Sequence, residues 1–300
     1  MIPREICAQH IPVLVNEALF YLNCQSEGVY VDGTVGLGGH SEKILEYTSA
    51  QSTIIGIDRD PECLVIAQER LSRFGNRVLL AQGNFRDIDE IVKNAGYTHI
   101  QGILLDIGMS SYHLQPNKRG FSFNDFSDAP LDMRFDMSSG PTAGDIINHY
   151  PVHDLERIFR DYGEERWSRR IARAIGRERQ KEKIMTVGHL VAIILSSISK
   201  RGSRWRIHPA TRIFQALRIE VNRELDNLKS ALESAKDCLD KGGRLCVISF
   251  HSLEDRIVKN KFKETAEFRS ITPKPLTATR EEISKNPRAR SAKLRAAERC

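Results

Sequence analysis

The first third of the chain alternates short apolar runs with stretches of helical period. Residues 29–32, 53–58, 78–82 and 100–106 are apolar runs of strand length. Between them, residues 41–47, 61–74 and 85–94 read as helices, with apolar side chains three and four apart on one face. Pro61 opens the second of these, at a first-turn position where no N–H is needed. Such alternation predicts a parallel sheet with helices on both faces. After residue 111 the rhythm stops. The stretch "YHLQPNKRGFSFNDFSDAPLDMRFDMSSGPTAGD" is rich in Gly, Pro, Asp and Ser and predicts a long ordered loop, and residues 152–198 predict charged helices. A long helical pattern over 210–239 and the apolar "KGGRLCVISF" restore the rhythm, with a candidate closing strand at 293–298. The expected fold is an α/β core of residues 1–111 and 210–300, interrupted by a mainly helical insertion at 112–209.

The junction of the first strand and first helix, "GVYVDGTVGLGGHSEKILE", carries the first chemical signal. Glycines there let a ligand approach the backbone, and the helix start offers free N–H donors. A dinucleotide fingerprint would read G-x-G-x-x-G/A, but counted from Gly36 its last position falls on Ser41. Asp32, at the strand end, would repel a pyrophosphate and attract the amino group and sulfonium of S-adenosylmethionine. Asp58, ending the second strand, suits a ribose diol with either ligand. The loop therefore favours S-adenosylmethionine over NAD, and a tight strand–helix turn without a ligand is the plain alternative. Asn84 is placed to cap the third helix, Phe85 to stack on an adenine, and Asp106 to sit at the sheet's carboxyl edge, where open α/β folds bind ligands.

Composition narrows the partners. The 300-residue chain carries a net charge of +6 and a pI near 9.0, which favours a polyanion. No acidic residue occurs between Ile184 and Ile219, where Lys200, Arg201, Arg204 and Arg206 surround Trp205. Cations with an aromatic platform suit an RNA backbone and a stacked base, whereas a solvated loop would carry the same residues without function. The six cysteines are scattered, without disulfide or zinc spacing, and Pro151 separates His149 from His153, so no metal site is expected. The longest apolar run, residues 191–195, is too short for a membrane span, and a cytoplasmic protein is expected.

The motifs "HIPVLVNEAL", "VDGTVGLGGHS", "GIDRDP", "GILLDIGMSS", "RGFSF", "PLDMRFD", "YGEERWSRRIARAI", "HPATRIFQALRIEVNREL", "GGRLCVISFHSLEDRIVK" and "NPRARSAKLRAAER" run in order through nearly the whole chain. Together they closely resemble the bacterial RsmH (MraW) family. The resemblance implies a class I, Rossmann-like, S-adenosylmethionine-dependent methyltransferase sheet with an inserted helical domain. It implies methylation of the exocyclic N4 of a cytidine in the decoding centre of 16S rRNA, within a small ribosomal subunit or a late assembly intermediate. By the same carry-over, Gly38, Gly39 and His40 contact the methionine portion of the cofactor, Asp58 its ribose, and Phe85 and Asp106 its adenosine side. His113 stands where the family often has Gln, and Ala129 where Gly is common.

A cytosine amino group is a poor nucleophile, and a proton acceptor helps it most. Asp106, with the carbonyls of residues 107–110, is one candidate acceptor, and its alternative role is to serve the cofactor alone. His251 in "SFHSLEDR" is a second candidate, with helix capping beside Ser252 as its alternative. Ser110 and Ser111 are placed to orient the base. Two other readings stand: a ribosome-assembly factor that binds RNA without chemistry, and an NAD-dependent oxidoreductase. Neither a second copy of the chain as partner nor its absence follows from the sequence, so a homodimer stays open.

Overall fold

The computed structural model describes residues 11–24, 27–110, 112–113, 119–123, 128–198 and 208–300. The chain forms two compact units, one of residues 1–112 and 225–300, the other of residues 113–224. In chain order, the first unit begins with α1 (Val15–Leu22), β1 (Val29–Asp32), α2 (Gly39–Tyr47), β2 (Thr53–Asp58), α3 (Pro61–Leu71), β3 (Val78–Gln82), α4 (Ile88–Asn94) and β4 (Ile100–Asp106). The second unit contributes α5 (Ala143–His149), α6 (Val152–Asp161), α7 (Ser168–Glu178), α8 (Val187–Ser197) and α9 (Pro209–Asn222). The chain then returns through α10 (Glu224–Cys238), β5 (Leu239–Ser249), α11 (Ser252–Glu264), β6 (Phe268–Ser270), β7 (Leu276–Thr277), α12 (Arg280–Lys285) and β8 (Lys293–Arg299).

In the first unit the strands form one sheet in the order β3-β2-β1-β4-β5-β8-β6, with β7 also on β8. Strands β1 to β5 run parallel, and β8 runs antiparallel to β5, β6 and β7. This order and these directions are those of the Rossmann-like sheet expected from the sequence. Alternation along each strand feeds two cores. Val31, Ile55, Ile57, Ile103, Leu105 and Val247 face Leu228 and Leu232 of α10 and Val258 and Phe262 of α11. Tyr30, Ile54, Leu104, Cys246 and Ile248 face Leu22 of α1, Ile44 and Leu45 of α2, and Ala67 and Leu71 of α3. Burial on both faces explains why the strands read as continuous apolar runs.

In the second unit, α5 to α9 bury Ile147, Leu155, Phe159, Ile171, Ile175, Leu190, Ile194 and Leu217. The irregular stretch before α5 is held by Asn222, whose Nδ2 donates to the Met133 carbonyl at 2.7 Å while its Oδ1 accepts from the Phe135 N–H at 2.9 Å. Among the described residues, no helix is long and apolar enough to cross a membrane.

The single helix predicted over 210–239 is two helices. Arg223 takes the left-handed conformation (φ 53°, ψ 40°) and ends α9, and Arg218 spans the break with a two-pronged pair to Glu224 at 2.7 and 2.8 Å. Because α9 packs on α5, α6 and α8, it belongs to the second unit. The expected boundary at residue 209 therefore moves to 224. The predicted 61–74 helix ends at Leu71 and continues as a 3-10 turn through Arg77. The predicted 85–94 helix starts with a 3-10 turn at Phe85–Asp87, whose first N–H groups Asn84 caps through Arg86 N.

Candidate active site

The strand order reverses between β1 and β4, and open α/β sheets bind ligands outside the carboxyl ends of the strands at such a point. Three aspartates end neighbouring strands there: Asp32 on β1, Asp58 on β2 and Asp106 on β4. The loop after β1 folds under them. Gly36 (φ 50°) and Gly38 (φ 80°) take left-handed conformations that side-chain-bearing residues adopt at a cost of about 1–2 kcal/mol. Gly38 is the N-cap of α2. A Cβ there would lie 3.2 Å from Leu71 Cγ, so backbone geometry and α3 packing both demand glycine.

Each aspartate has a different environment. Asp32 is 1% exposed; its Oδ2 accepts from Ser41 Oγ at 2.7 Å and its Oδ1 from the Thr34 N–H at 3.3 Å. Burial pushes its pKa up, against the pull of His40, Ser41 and Thr34. Asp32 therefore braces the loop from inside and is not the open carboxylate expected to face a sulfonium. Ser41, noted only for breaking a dinucleotide fingerprint, is the donor that fixes it. Asp58 accepts from the Gly36 N–H and the Asp60 N–H, both at 2.9 Å. Its half-buried carboxylate is thus aimed by backbone donors at the mouth of the glycine loop.

Asp106 differs from both. Its backbone N–H donates to Thr34 Oγ1 at 2.7 Å, fixing the strand end against the loop. Its Oδ2 lies 3.6 Å from His40 Nδ1, with 18% of the side chain exposed. Its Oδ1 is a buried atom with no hydrogen-bond partner among the described residues. The pKa is pushed up to about 6, first by burial and then by Asp32 and Glu254, with His40 and the Gly108 N–H opposing. His40 is 7% exposed, and its Nε2 lies 2.9 Å from the Val13 carbonyl. A carbonyl only accepts, so Nε2 carries the hydrogen and Nδ1 is turned to Asp106. Nothing in the sequence points to Val13 or Thr34. Both act through backbone or hydroxyl placement, which no residue pattern announces.

The other expected positions separate clearly. Gly39 and His40 open α2, and Phe85 opens the 3-10 turn after β3, half-buried on the sheet core. His251 is the N-cap of α11. Its Nδ1 accepts from the Glu254 N–H at 3.4 Å, and the Glu254 carboxylate returns to the N–H groups of Phe250 (2.8 Å) and His251 (3.1 Å). Its Nε2 lies 2.9 Å from Glu254 Oε1, at an angle that misses a hydrogen bond. Both ring nitrogens are thus directed to Glu254, and capping is the role this geometry gives His251. Ser110 Oγ accepts from the Tyr112 N–H at 3.2 Å. His113 belongs to the second unit, in an aromatic cluster with Phe121 at 5.4 Å and Phe135 at 4.9 Å between centroids. Ser111, Lys200, Arg201, Arg204, Trp205 and Arg206 lie outside the described residues.

The first-unit site fits a small ligand with a ribose and a cationic amino-acid tail. Asp58 is a half-buried carboxylate ending β2, and Asp106 Oδ1 is a buried acceptor with no hydrogen-bond partner among the described residues. The chain is 48% identical over 310 residues to a ribosomal RNA small subunit methyltransferase H of Pelobacter propionicus, covering 97% of this chain and 98% of the relative. It is 48% identical over 309 residues to the protein of the same name from Heliobacterium modesticaldum, with the same coverage. Among solved structures, an rRNA methylase from Streptococcus thermophilus aligns at TM-score 0.43 and 13% identity, over 100% of this chain and 98% of that one. The MraW methylase family matches residues 7–300, so this chain, from its glycine loop to its closing strand, belongs to that family.

Proposed function

We propose that the protein methylates 16S rRNA within a small ribosomal subunit or late assembly intermediate, in the cytoplasm, at the exocyclic N4 of a cytidine, with S-adenosylmethionine as donor. The observation that carries the chemistry is Asp106 Oδ1, a buried carboxylate oxygen at the end of β4 with no hydrogen-bond partner among the described residues. Gly38, Gly39, His40, Asp58 and Phe85 are the residues to hold the donor, which supplies a methyl group made electrophilic by its sulfonium.

The chain's own task is the proton. An exocyclic amine that gains a methyl group must lose a hydrogen. Asp106, held near a pKa of about 6 by burial, is ionised at neutral pH yet more basic than an ordinary carboxylate. His40 Nδ1 lies 3.6 Å from Oδ2, and Oδ1 remains available. Ser110, which follows β4, and Ser111 beside it in sequence are assigned to the base, and Lys200, Arg201, Arg204, Trp205 and Arg206, outside the described residues, to the RNA backbone. The target cytidine must be unstacked to reach the strand ends. The second unit, inserted between β4 and α10, is the part that recognises RNA.

The test is incubation of the purified protein with isotopically labelled S-adenosylmethionine and small subunits from a strain lacking it, followed by mass spectrometry of 16S nucleosides. Labelled N4-methylcytidine is expected. Tight subunit binding without any transfer would overturn the reading in favour of a non-catalytic assembly factor.

A further inference from the structure

Helix α7 of the second unit carries an unusual surface. Arg169, Arg170, Arg173 and Arg177 are all exposed. At ~100° per residue they fall within an arc of about 100°, over a rise of about 12 Å. The opposite face buries Ile171, Ala172 and Ile175, so the helix cannot turn this stripe inward. Among the described residues, none of the four guanidinium groups has a hydrogen bond or an ion pair.

Other helices of the chain treat cations differently. On α6, Arg157 lies 3.7 Å from Asp154, and Arg160 lies 2.9 Å from Asp161. Lys229 and Lys236 of α10 each face an acid three residues away, and Lys285 of α12 faces Glu281 at 2.7 Å. The acid within α7, Glu178, is taken by Lys181 at 3.0 Å. The first turn of α7 has no acid, and it holds Arg169 and Arg170 at the end of the helix where the dipole disfavours cations. A merely solvated face would gain from pairing these charges. Just before the helix, Arg166 lies over the ring of half-buried Trp167 at 5.1 Å.

We infer that the exposed face of α7 is a docking surface for an RNA backbone, its four arginines each meeting phosphate oxygens. Guanidinium groups match phosphate with two parallel donors, and a row of them in one arc follows a chain of regularly spaced negative charges. An acidic protein surface offers carboxylates without that regular spacing. The choice of RNA rests on the proposed rRNA methyl transfer, and it extends the RNA contact beyond residues 200–206 to a helix with defined geometry.

The experiment uses the full-length protein and small ribosomal subunits from a strain lacking it. The variants are Arg169→Gln/Arg170→Gln/Arg173→Gln/Arg177→Gln, the same four positions changed to Lys, and a control, Lys259→Gln/Lys263→Gln, on exposed positions of α11. Subunit affinity is measured against KCl concentration, beside S-adenosylmethionine affinity and melting temperature. The Gln variant should bind subunits at least tenfold more weakly at 100 mM salt, with a log-log salt slope reduced by roughly 0.7–0.9 per lost phosphate contact. Cofactor affinity and melting temperature should match wild type, and the Lys variant should keep most of the slope. A wild-type slope in the Gln variant, or an equal loss in the α11 control, would overturn the surface. So would loss of self-association with RNA binding intact, which would assign the stripe to a second copy. If wild-type protein binds subunits through this stripe yet transfers no methyl group, the functional reading fails and the surface stands. If wild type methylates and the Gln variant binds unchanged, the reverse holds.

Discussion

The strand ends of the first unit and the arginine face of α7 handle charge in opposite ways. At the strand ends, Asp32, Asp106 and His40 are withdrawn from water, and nearly every polar atom is matched within the chain. Among the described residues the exceptions there are one oxygen of Asp106 and, past the end of β5, Nε2 of His251. On α7, four cations stand in water and have no partner among the described residues. The energies explain the division. A charge pair at about 4 Å is worth about 1 kcal/mol in bulk water and about 4 kcal/mol where the effective dielectric falls to about 20. One buried carboxylate can therefore direct a reaction alone, whereas an exposed site needs several cations to hold a polyanion. An unmatched atom means different things in the two places: in the buried site it marks where a ligand donor belongs, and on the exposed face only a whole stripe carries meaning.

The sharpest way to break this comparison is Asp106→Asn. Loss of the acceptor should lower kcat by about 10²–10⁴-fold, the usual range for general-base removal. The same change should stabilise the protein. With a folded-state pKa of about 6 against 3.8 for the free side chain, Asp106 binds its proton more tightly in the folded chain. Its contribution to stability is therefore full below pH 3.8 and lost as pH rises through about 6. At pH 8 the ionised group costs on the order of 3 kcal/mol relative to the unfolded chain, which Asn escapes. Melting scans at pH 8 should show the variant above wild type, with the gap closing toward pH 4. In wild type, single-turnover rates should fall as pH drops through about 6. A variant with normal turnover would move the proton acceptor elsewhere and end the reading of Asp106 Oδ1 as an active-site vacancy for a donor.

Next in size is Asp58→Ala. It removes an acceptor for the ribose, worth on the order of 1.5–3 kcal/mol per charge-assisted bond, and also frees the Gly36 and Asp60 N–H groups. Calorimetry should show S-adenosylmethionine affinity down by at least tenfold, and Asp58→Asn, which keeps an acceptor for the loop, should lose less. Unchanged affinity in a folded Asp58→Ala would remove β2 from the site. Gly38→Val acts on the same loop through its backbone. The left-handed conformation costs a non-glycine residue about 1–2 kcal/mol, and Leu71 leaves its Cβ little room. A lowered melting temperature and weaker cofactor binding are expected together, and normal values of both would show that the loop relaxes without loss.

These sites were not equally legible in the sequence. Strand ends announce themselves, because a buried parallel strand is a continuous apolar run, and a terminal aspartate after "VYV", "TIIGI" or "IQGILL" stands out. What surrounds those aspartates does not. Thr34 and Asp106 are 72 residues apart, and the fold alone brings Val13 to His40. The break after α9 was hidden for a similar reason. "VNREL" holds no Gly or Pro, and the left-handed turn at Arg223 follows a helix end that Asn222 fastens to Met133 and Phe135, 89 and 87 residues away. The α7 stripe, by contrast, is written in "SRRIARAIGRE" as arginines spaced one, three and four apart. Only the absence of partners, visible in three dimensions, separates it from an ordinary solvated helix.

The smallest expected effect tests whether His251 sits on the catalytic side of the comparison at all. Its Nδ1 caps α11 and its Nε2 leans on Glu254, a carboxylate that is 2% exposed and bonded to two backbone N–H groups. Removing an N-cap side chain costs about 0.5–2 kcal/mol, which corresponds to a fall in melting temperature of roughly 2–4 °C per kcal/mol in a domain of this size. His251→Ala should show that fall, and His251→Asn, a good N-cap residue, should recover most of it. Single-turnover rates at saturating cofactor should stay within about threefold of wild type in both, since a cap is set before the reaction begins and does not exchange protons during it. The reverse pattern, an unchanged melting temperature with turnover reduced by the 10²-fold or more typical of a lost acid or base, would make His251 a partner of Asp106. The buried site would then hold two proton-handling groups, and the single unmatched oxygen of Asp106 would no longer suffice to locate the chemistry.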